Sequence, residues 1–217
     1  MSLNEKIIIA LDGPAASGKG TLARRLADHY NLALLDTGAL YRAVGWNVLQ
    51  AGGNPENKDD AVKAVEKLSI TDLSNPELRS ESIGAAASKV ATIPAVRRTL
   101  VDFQRTFAHN PPANKDGTIL DGRDIGTVIC PDAPIKIFIT ADVETRAKRR
   151  FLEEFGENGS EQEYQKILTE LRARDERDMN RASSPLKQAE NAYLIDTTYS
   201  DIEAVFEAAI SFVSSKT

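Results

Sequence analysis

The chain predicts a three-layer α/β/α fold around a five-stranded parallel sheet, on three observations. Short apolar runs alternate with helical patterns along most of its length. The first run leads into a glycine-rich loop that opens a helix. Aspartates cluster after the first three runs, where open parallel sheets bind their ligands.

The runs are Ile7–Leu11, Leu32–Leu35, Thr118–Leu120, Ile135–Ile139 and Tyr193–Ile195. Each is short and apolar, as a strand buried on both faces requires. More than eighty residues separate the second run from the third. That is too many for one crossover helix, so an inserted unit is expected over 38–110. Its first helix spans about Ala39 to Gln50 and stops at Gly52-Gly53, a sound helix terminator. Gly53 to Asp60 reads as a loop, and a second helix runs from about Ala61 to Leu68. Ser69 to Arg79 reads as irregular, followed by helices over Ser82–Ala91 and Ala95–Phe107. Asn110 to Gly117 then returns the chain to the sheet. A smaller excursion, Glu157-Asn158-Gly159-Ser160 between charged helices, is the expected lid, over 150–165. The whole, 1–217, is expected to be one domain carrying these insertions.

Composition narrows the function. Hydrophobic residues make up 41% of the 217, enough for a full core, and no segment is long and apolar enough to span a membrane. The start of the chain lacks the basic and apolar regions of a signal peptide, so none is expected. The formal net charge of −5 argues against binding nucleic-acid polymers, which need a basic face. Anionic ligands must then be held by local arginine clusters. The single cysteine, Cys130, excludes an internal disulfide, fits a reducing compartment and reads as a small buried hydrophobe. Two histidines, His29 and His109, are too few for a histidine-rich metal site, and His29 reads as a surface or capping residue.

The loop is Gly13-Pro14-Ala15-Ala16-Ser17-Gly18-Lys19-Gly20-Thr21. Glycines let backbone N–H groups turn towards an oxyanion. The helix start adds free N–H groups and the positive end of a dipole. Lys19 adds a point charge for the outer phosphates of a nucleoside triphosphate. The usual pattern places Ser or Thr directly after the lysine as a magnesium ligand. Here Gly20 stands there and the hydroxyl follows on Thr21. No direct metal ligand is therefore assigned.

Three further constellations stand out. In Asp36-Thr37-Gly38-Ala39-Leu40-Tyr41-Arg42, Thr37 can cap the next helix, and with Arg42 it could converge on a second phosphate. An ordinary capped helix with a surface arginine is the equal alternative. In Asp121-Gly122-Arg123-Asp124, Arg123 offers a two-pronged phosphate donor and Asp124 an acceptor for an exocyclic amine such as the cytosine N4 group. Asp121 either assists magnesium or forms a turn. The helix from about Glu163 to Arg181 carries Ile167 and Leu171 on a stripe that continues as Arg174, Asp178 and Arg181. Either that stripe leaves the core for a cleft, or it is a solvated helix end with Arg174 paired to Asp178. Arg146 and Arg150 share another face, suited to an adenine plane and to phosphates, or else to an exposed lid.

Together these stretches resemble the bacterial cytidylate kinases of the P-loop nucleoside monophosphate kinase family. The likeness covers nearly the whole chain. It rests on Asp12 to Thr21, Leu34 to Arg42, Ala86-Ala87-Ser88-Lys89-Val90-Ala91 with Pro94 and Val96-Arg97, and Asp121 to Val128. It extends through Pro131 to Phe138, Arg174 to Asp178, and Asn180-Arg181. The Asp-Gly-Arg-Asp run is far more specific than the loop.

The resemblance implies transfer of the ATP γ-phosphate to CMP or dCMP, with Mg2+ held largely by phosphates and water. It implies Gly13 to Thr21 on ATP, and Thr37, Arg42 and Arg123 on the CMP phosphate. Ser88, Arg97 and Asp124 would read the cytosine edge, and Arg174 and Asp178 would face the sugar. Arg181 would face the phosphates in transfer. Tyr41 walls the pyrimidine or is a core tyrosine. It implies a cytoplasmic monomer whose partners are ATP and CMP or dCMP. The catalytic set so read is Lys19, Arg123, Arg150 and Arg181, with Arg146 on the nucleotide.

Family members often carry a small three-stranded sheet in this insert, and Ser69 to Ser80 is too short for it. Two rivals remain. One is a P-loop kinase for UMP, AMP or a non-nucleotide acceptor. The other is an ATP-binding regulator without turnover.

Overall fold

The computed structural model describes residues 6–69, 73 and 75–216. Five parallel strands form one sheet in the order β2-β3-β1-β4-β5. They are β1 (Ile7–Asp12), β2 (Leu32–Asp36), β3 (Gly117–Gly122), β4 (Ile135–Thr140) and β5 (Tyr193–Asp196). All five predicted strands are present. Four of them extend past the predicted run by one residue and β3 by three, because the ladder continues into the residues at the strand ends. Asp12 pairs with Gly122 and with Phe138, which sets the loop after β1 beside the turn after β3.

The chain divides into two compact units. The first comprises residues up to Leu35 and from Ala108 onward, and holds β1, β3, β4, β5 and most of β2. Ile9, Ala10 and Leu11 of β1 are wholly buried. The helix α1 (Lys19–His29) lays Leu22, Ala23, Leu26 and Ala27 on this core, at helical spacing. α8 (Ile202–Ser214) adds Val205, Ala209 and Val213, and its start is capped by Asp201, which accepts from Ala204 N at 2.8 Å.

α6 (Val143–Phe155) and α7 (Glu161–Asn180) pair through Ala147, Phe151, Phe155, Tyr164, Ile167, Leu168 and Leu171. A short 3-10 turn, Gly156–Asn158, joins them. Ser160 and Glu163 form a reciprocal capping box at the start of α7. Cys130 is buried and outside any disulfide, and His29 is an exposed residue edge-on to Tyr30, both as expected.

The second unit, Asp36–Phe107, is helical: α2 (Thr37–Gln50), α3 (Lys58–Glu66), α4 (Glu81–Val90) and most of α5 (Pro94–His109). Its interior gathers Ala43, Leu78 and Ile83 against Trp46, Leu68 and Leu73. α3 starts at Lys58 rather than Ala61, because Asn57 caps it and Asp59 and Asp60 suit the first turn. A 3-10 turn, Pro76–Arg79, falls in the segment expected to be irregular. Residues 70–72 and 74 of that segment lie outside the described residues. No strand lies between β2 and β3 among the described residues. No helix among them is long and apolar enough to cross a membrane.

One expectation is corrected. Asp36, not Thr37, caps α2, its carboxylate accepting from Ala39 N at 3.2 Å. β2 runs into the helix without a spacer, so the last strand residue takes the cap position and Thr37 becomes the first helical residue.

Candidate active site

The glycine loop turns between β1 and α1 in a conformation that only some residues tolerate. Gly13 has φ 151°, and a Cβ there would stand 2.0 Å from Ile139 O on β4. Gly18 has φ 91° and takes the cap position of α1 without a capping side chain. The first-turn N–H groups of α1 therefore open onto the loop, as an anion site needs. Lys19 folds back over the loop. Its Nζ donates to Pro14 O at 2.7 Å and lies 3.9 Å from Asp121 Oδ1. Ser17 donates to the same carbonyl at 3.0 Å. Thr21 points towards Arg24, which donates to its hydroxyl at 3.4 Å.

At the end of β3 the predicted charged residues converge. Asp178 of α7 is 5% exposed and faces three guanidinium groups. Arg123 Nε donates to its Oδ2 at 3.2 Å, Arg181 Nη1 stands at 3.8 Å and Arg174 Nε at 4.0 Å. Arg181 also reaches Asp124, 3.8 Å from its Oδ1. Burial opposes ionisation of Asp178, yet Arg123, Arg174 and Arg181 hold its carboxyl below the usual aspartate range. The α7 stripe thus leaves the apolar core at Leu171 and enters a buried ionic cluster. The helix ends at Asn180, and Arg181 follows in extended backbone, its Nε donating to Ser184 O at 2.5 Å.

Arg146 and Arg150 separate. Arg146 is buried and donates to Ala15 O of the loop at 3.2 Å, to Ala141 O at 2.8 Å and to Asp175 at 2.6 Å. Its guanidinium edge is occupied by these contacts, so it supports the loop from beneath. Arg150 is half-buried and pairs with Glu154 one turn on, at 3.6 Å.

The second unit holds the other predicted residues. Arg42 lies 3.5 Å from Asp36. Arg97 is buried, donates to Ala91 O at 3.3 Å and places its guanidinium 5.5 Å from the centre of the Tyr41 ring. Thr37, Tyr41 and Ser88 are buried in the same unit.

Sequence reasoning gave no role to four residues. Arg149 grips Thr197 through both its hydroxyl and its carbonyl, and the Thr197 hydroxyl in turn donates to Ser17 O of the loop at 3.2 Å. Helical spacing alone did not separate Arg149 from its neighbours. Asp12 is buried and accepts from Ile125 N and Gly126 N, each at 2.8 Å. Burial pushes its carboxyl up to about 7, against those two donors, with Asp124 and Asp121 adding to the rise. Lys136 of β4 is buried too, its ammonium on Pro131 O. A charged residue inside an apolar strand was the available signal for Lys136.

A phosphate-binding loop on the first strand of a parallel sheet, beside a buried arginine cluster, defines a P-loop phosphotransferase. Comparison with known proteins narrows that class. The family model for cytidylate kinases matches residues 9–215. The cytidylate kinase of Paramagnetospirillum magneticum is 52% identical over 209 residues, covering 96% of this chain and 98% of that protein. That of Methylocella silvestris is 53% identical over 209 residues, covering 96% and 94%. That of Bartonella bacilliformis is 52% identical over 206 residues, covering 95% and 94%. The chain belongs to the cytidylate kinase family. A crystal structure of an uncharacterized protein from Eubacterium ventriosum shares the fold, with a TM-score of 0.55 at 18% identity, covering 97% of this chain and 99% of that one.

Proposed function

We propose that this chain transfers the γ-phosphate of ATP to CMP or dCMP, giving CDP or dCDP and ADP. The observation that carries the reading is the ionic cluster of Arg123, Arg174 and Arg181 on Asp178 and Asp124, in the same unit as the loop and next to it through the Asp12–Gly122 pairing. Phosphoryl transfer between two phosphates needs concentrated, pre-positioned positive charge more than it needs a covalent partner. In this reading residues 13–21 hold ATP, with Lys19 on its outer phosphates and Arg146 supporting the loop. The CMP phosphate takes Thr37, Arg42 and Arg123, and the sugar takes Arg174 and Asp178. Ser88, Arg97 and Asp124 read the cytosine edge, and Tyr41 walls it. Arg181 and Arg150 face the phosphates in transfer. An incoming phosphate competes with Asp178 and Asp124 for the arginines, so the carboxylates hold them in place until the substrate arrives.

Magnesium accompanies ATP in this reading. Among the described residues no group of three or more His, Cys, Asp or Glu could hold a metal ion. Asp121 places a carboxylate 3.9 Å from Lys19 of the loop. One carboxylate with phosphates and water is a donor set that suits magnesium. The ion would neutralise charge on the phosphates as they approach. The residues at 38–110 are proposed as the acceptor-binding insert and those at 150–165 as the lid, which keeps water from the γ-phosphate. We place the protein in the cytoplasm as a monomer.

The test is ADP production from magnesium-ATP with CMP, dCMP, UMP, AMP or no acceptor. Fast turnover with CMP and dCMP, slow with UMP and near zero alone, is expected. Preference for UMP or AMP would discard the base-reading roles. No turnover in a folded, ATP-binding sample would favour a regulator.

A further inference from the structure

Residues Ile125–Ile129, directly after Asp124, form a single π-helical turn. Its bonds run in the wide register: Ile129 N to Asp124 O at 3.1 Å and Cys130 N to Ile125 O at 2.7 Å. Such turns are uncommon, and they are found frequently at functional sites. The two ends of this one are gripped by charged side chains from adjacent strands. Asp12 of β1 accepts the N–H groups of Ile125 and Gly126 at the start, with one oxygen for each. Lys136 of β4 donates to the carbonyl of Pro131, just past the end. Acid at the N-terminal end and base at the C-terminal end is the arrangement the peptide dipoles favour. Gly126 sits between the two. A Cβ there would meet Lys136 Cδ at 3.2 Å and Asp12 Oδ2 at 3.4 Å. Neither charged residue has a part in the proposed phosphoryl transfer, and both are buried within the sheet.

We propose that Asp12 and Lys136 clamp this π-helical turn and thereby fix Arg123 and Asp124, which makes them positioning residues for acceptor choice. The inference rests on the reading of Asp124 as a base contact. Asp124 is the cap residue of the turn and its carbonyl accepts from Val128 N at 2.9 Å. Its backbone therefore moves with the turn. Loosening the clamp shifts the acceptor contacts while the glycine loop keeps its own.

The test uses the full chain at pH 8. In Asp12→Asn the amide can accept with one arm only, and the other sets an N–H against an N–H. Amide hydrogen exchange at Ile125 and Gly126 should quicken about tenfold, as expected for losing a charge-assisted bond. KM for CMP should rise by a similar factor, KM for ATP should stay within about twofold, and the preference for CMP over UMP should fall. Lys136→Met, which keeps the stem, should move CMP in the same direction. Unchanged exchange in Asp12→Asn, or faster exchange with KM for CMP unmoved, would overturn the proposal. A merely structural role would lower the melting temperature without separating the two KM values. If Asp12→Asn does not fold, Lys136→Met and Gly126→Ala decide. Failure of both to raise KM for CMP overturns the clamp. Asp124→Ala run alongside separates the two claims. If it leaves the CMP preference intact, the base contact is wrong and the acceptor role of the clamp falls with it, while exchange still reports whether the turn is held.

Discussion

Replacing Asp178 by asparagine takes one negative charge from the centre of three guanidinium groups. They stand at 3.2 Å (Arg123), 3.8 Å (Arg181) and 4.0 Å (Arg174). The Arg181 side chain is only 5% exposed, so water cannot replace the lost carboxylate. Removing one partner of a buried ionic contact costs about 3–5 kcal/mol, because the remaining charges stay desolvated and now repel one another. In a chain of this size that lowers the melting temperature by about 10 °C. The assay is thermal unfolding at low ionic strength, with and without pyrophosphate. Because pyrophosphate can supply the missing negative charge, it should stabilise Asp178→Asn more than the parent. The arginines depress the Asp178 pKa, so its contribution is present above the ordinary aspartate value and is lost as pH falls through the lower, folded value. The variant should therefore lose part of the acid limb of the stability profile. A melting point within about 2 °C of the parent, with no extra response to pyrophosphate, would refute the view that this carboxylate neutralises the cluster.

Other outcomes follow from the same geometry. Arg181→Ala should cut turnover about a hundredfold or more with an unchanged circular dichroism spectrum, since the proposed function sets its charge against the phosphates in transfer. Ser160→Ala breaks the capping box on α7 and should cost about 1 kcal/mol in urea unfolding, with little effect on α1 or the glycine loop. Asp12 titrates near 7 in the folded protein, against 3.8 for the ordinary carboxyl. The folded state then binds more protons than the unfolded one between those values. Stability should fall as pH rises through that window, and Asp12→Asn should flatten the slope in pH-dependent unfolding.

The five strands were legible because each is an apolar run bounded by polar residues, and the parallel order follows from the helices between them. The phosphate loop was legible because glycine, lysine and context together leave few other readings. Helix starts were less legible. The polar first turns of α3 and α7 look like loop until a cap such as Asn57 or Ser160 is recognised, although Ser160 and Glu163 carry the capping-box spacing in plain sight. The stripe of Arg174, Asp178 and Arg181 pointed to the ionic cluster, yet spacing could not show that Asp178 takes all three arginines or that Arg181 lies beyond the helix end. Arg146 and Arg150 share a face in projection, but one is buried under the loop and the other is only half-buried, a difference set by what packs against each turn. The roles of Asp12 and Lys136 were hidden for a related reason. A charged residue in a buried strand gains its purpose from its partner: for Asp12 the start of the turn at Ile125–Ile129, far along the chain, and for Lys136 the Pro131 carbonyl just past that turn.

The most direct measurement is 31P NMR of one mixture containing the protein, magnesium-ATP and CMP at pH 8. The account predicts CDP and ADP appearing in equal amounts, and ATP left intact over the same period when CMP is omitted. Inorganic phosphate in place of CDP, or intact ATP in the presence of CMP and a folded, ATP-binding protein, would contradict it.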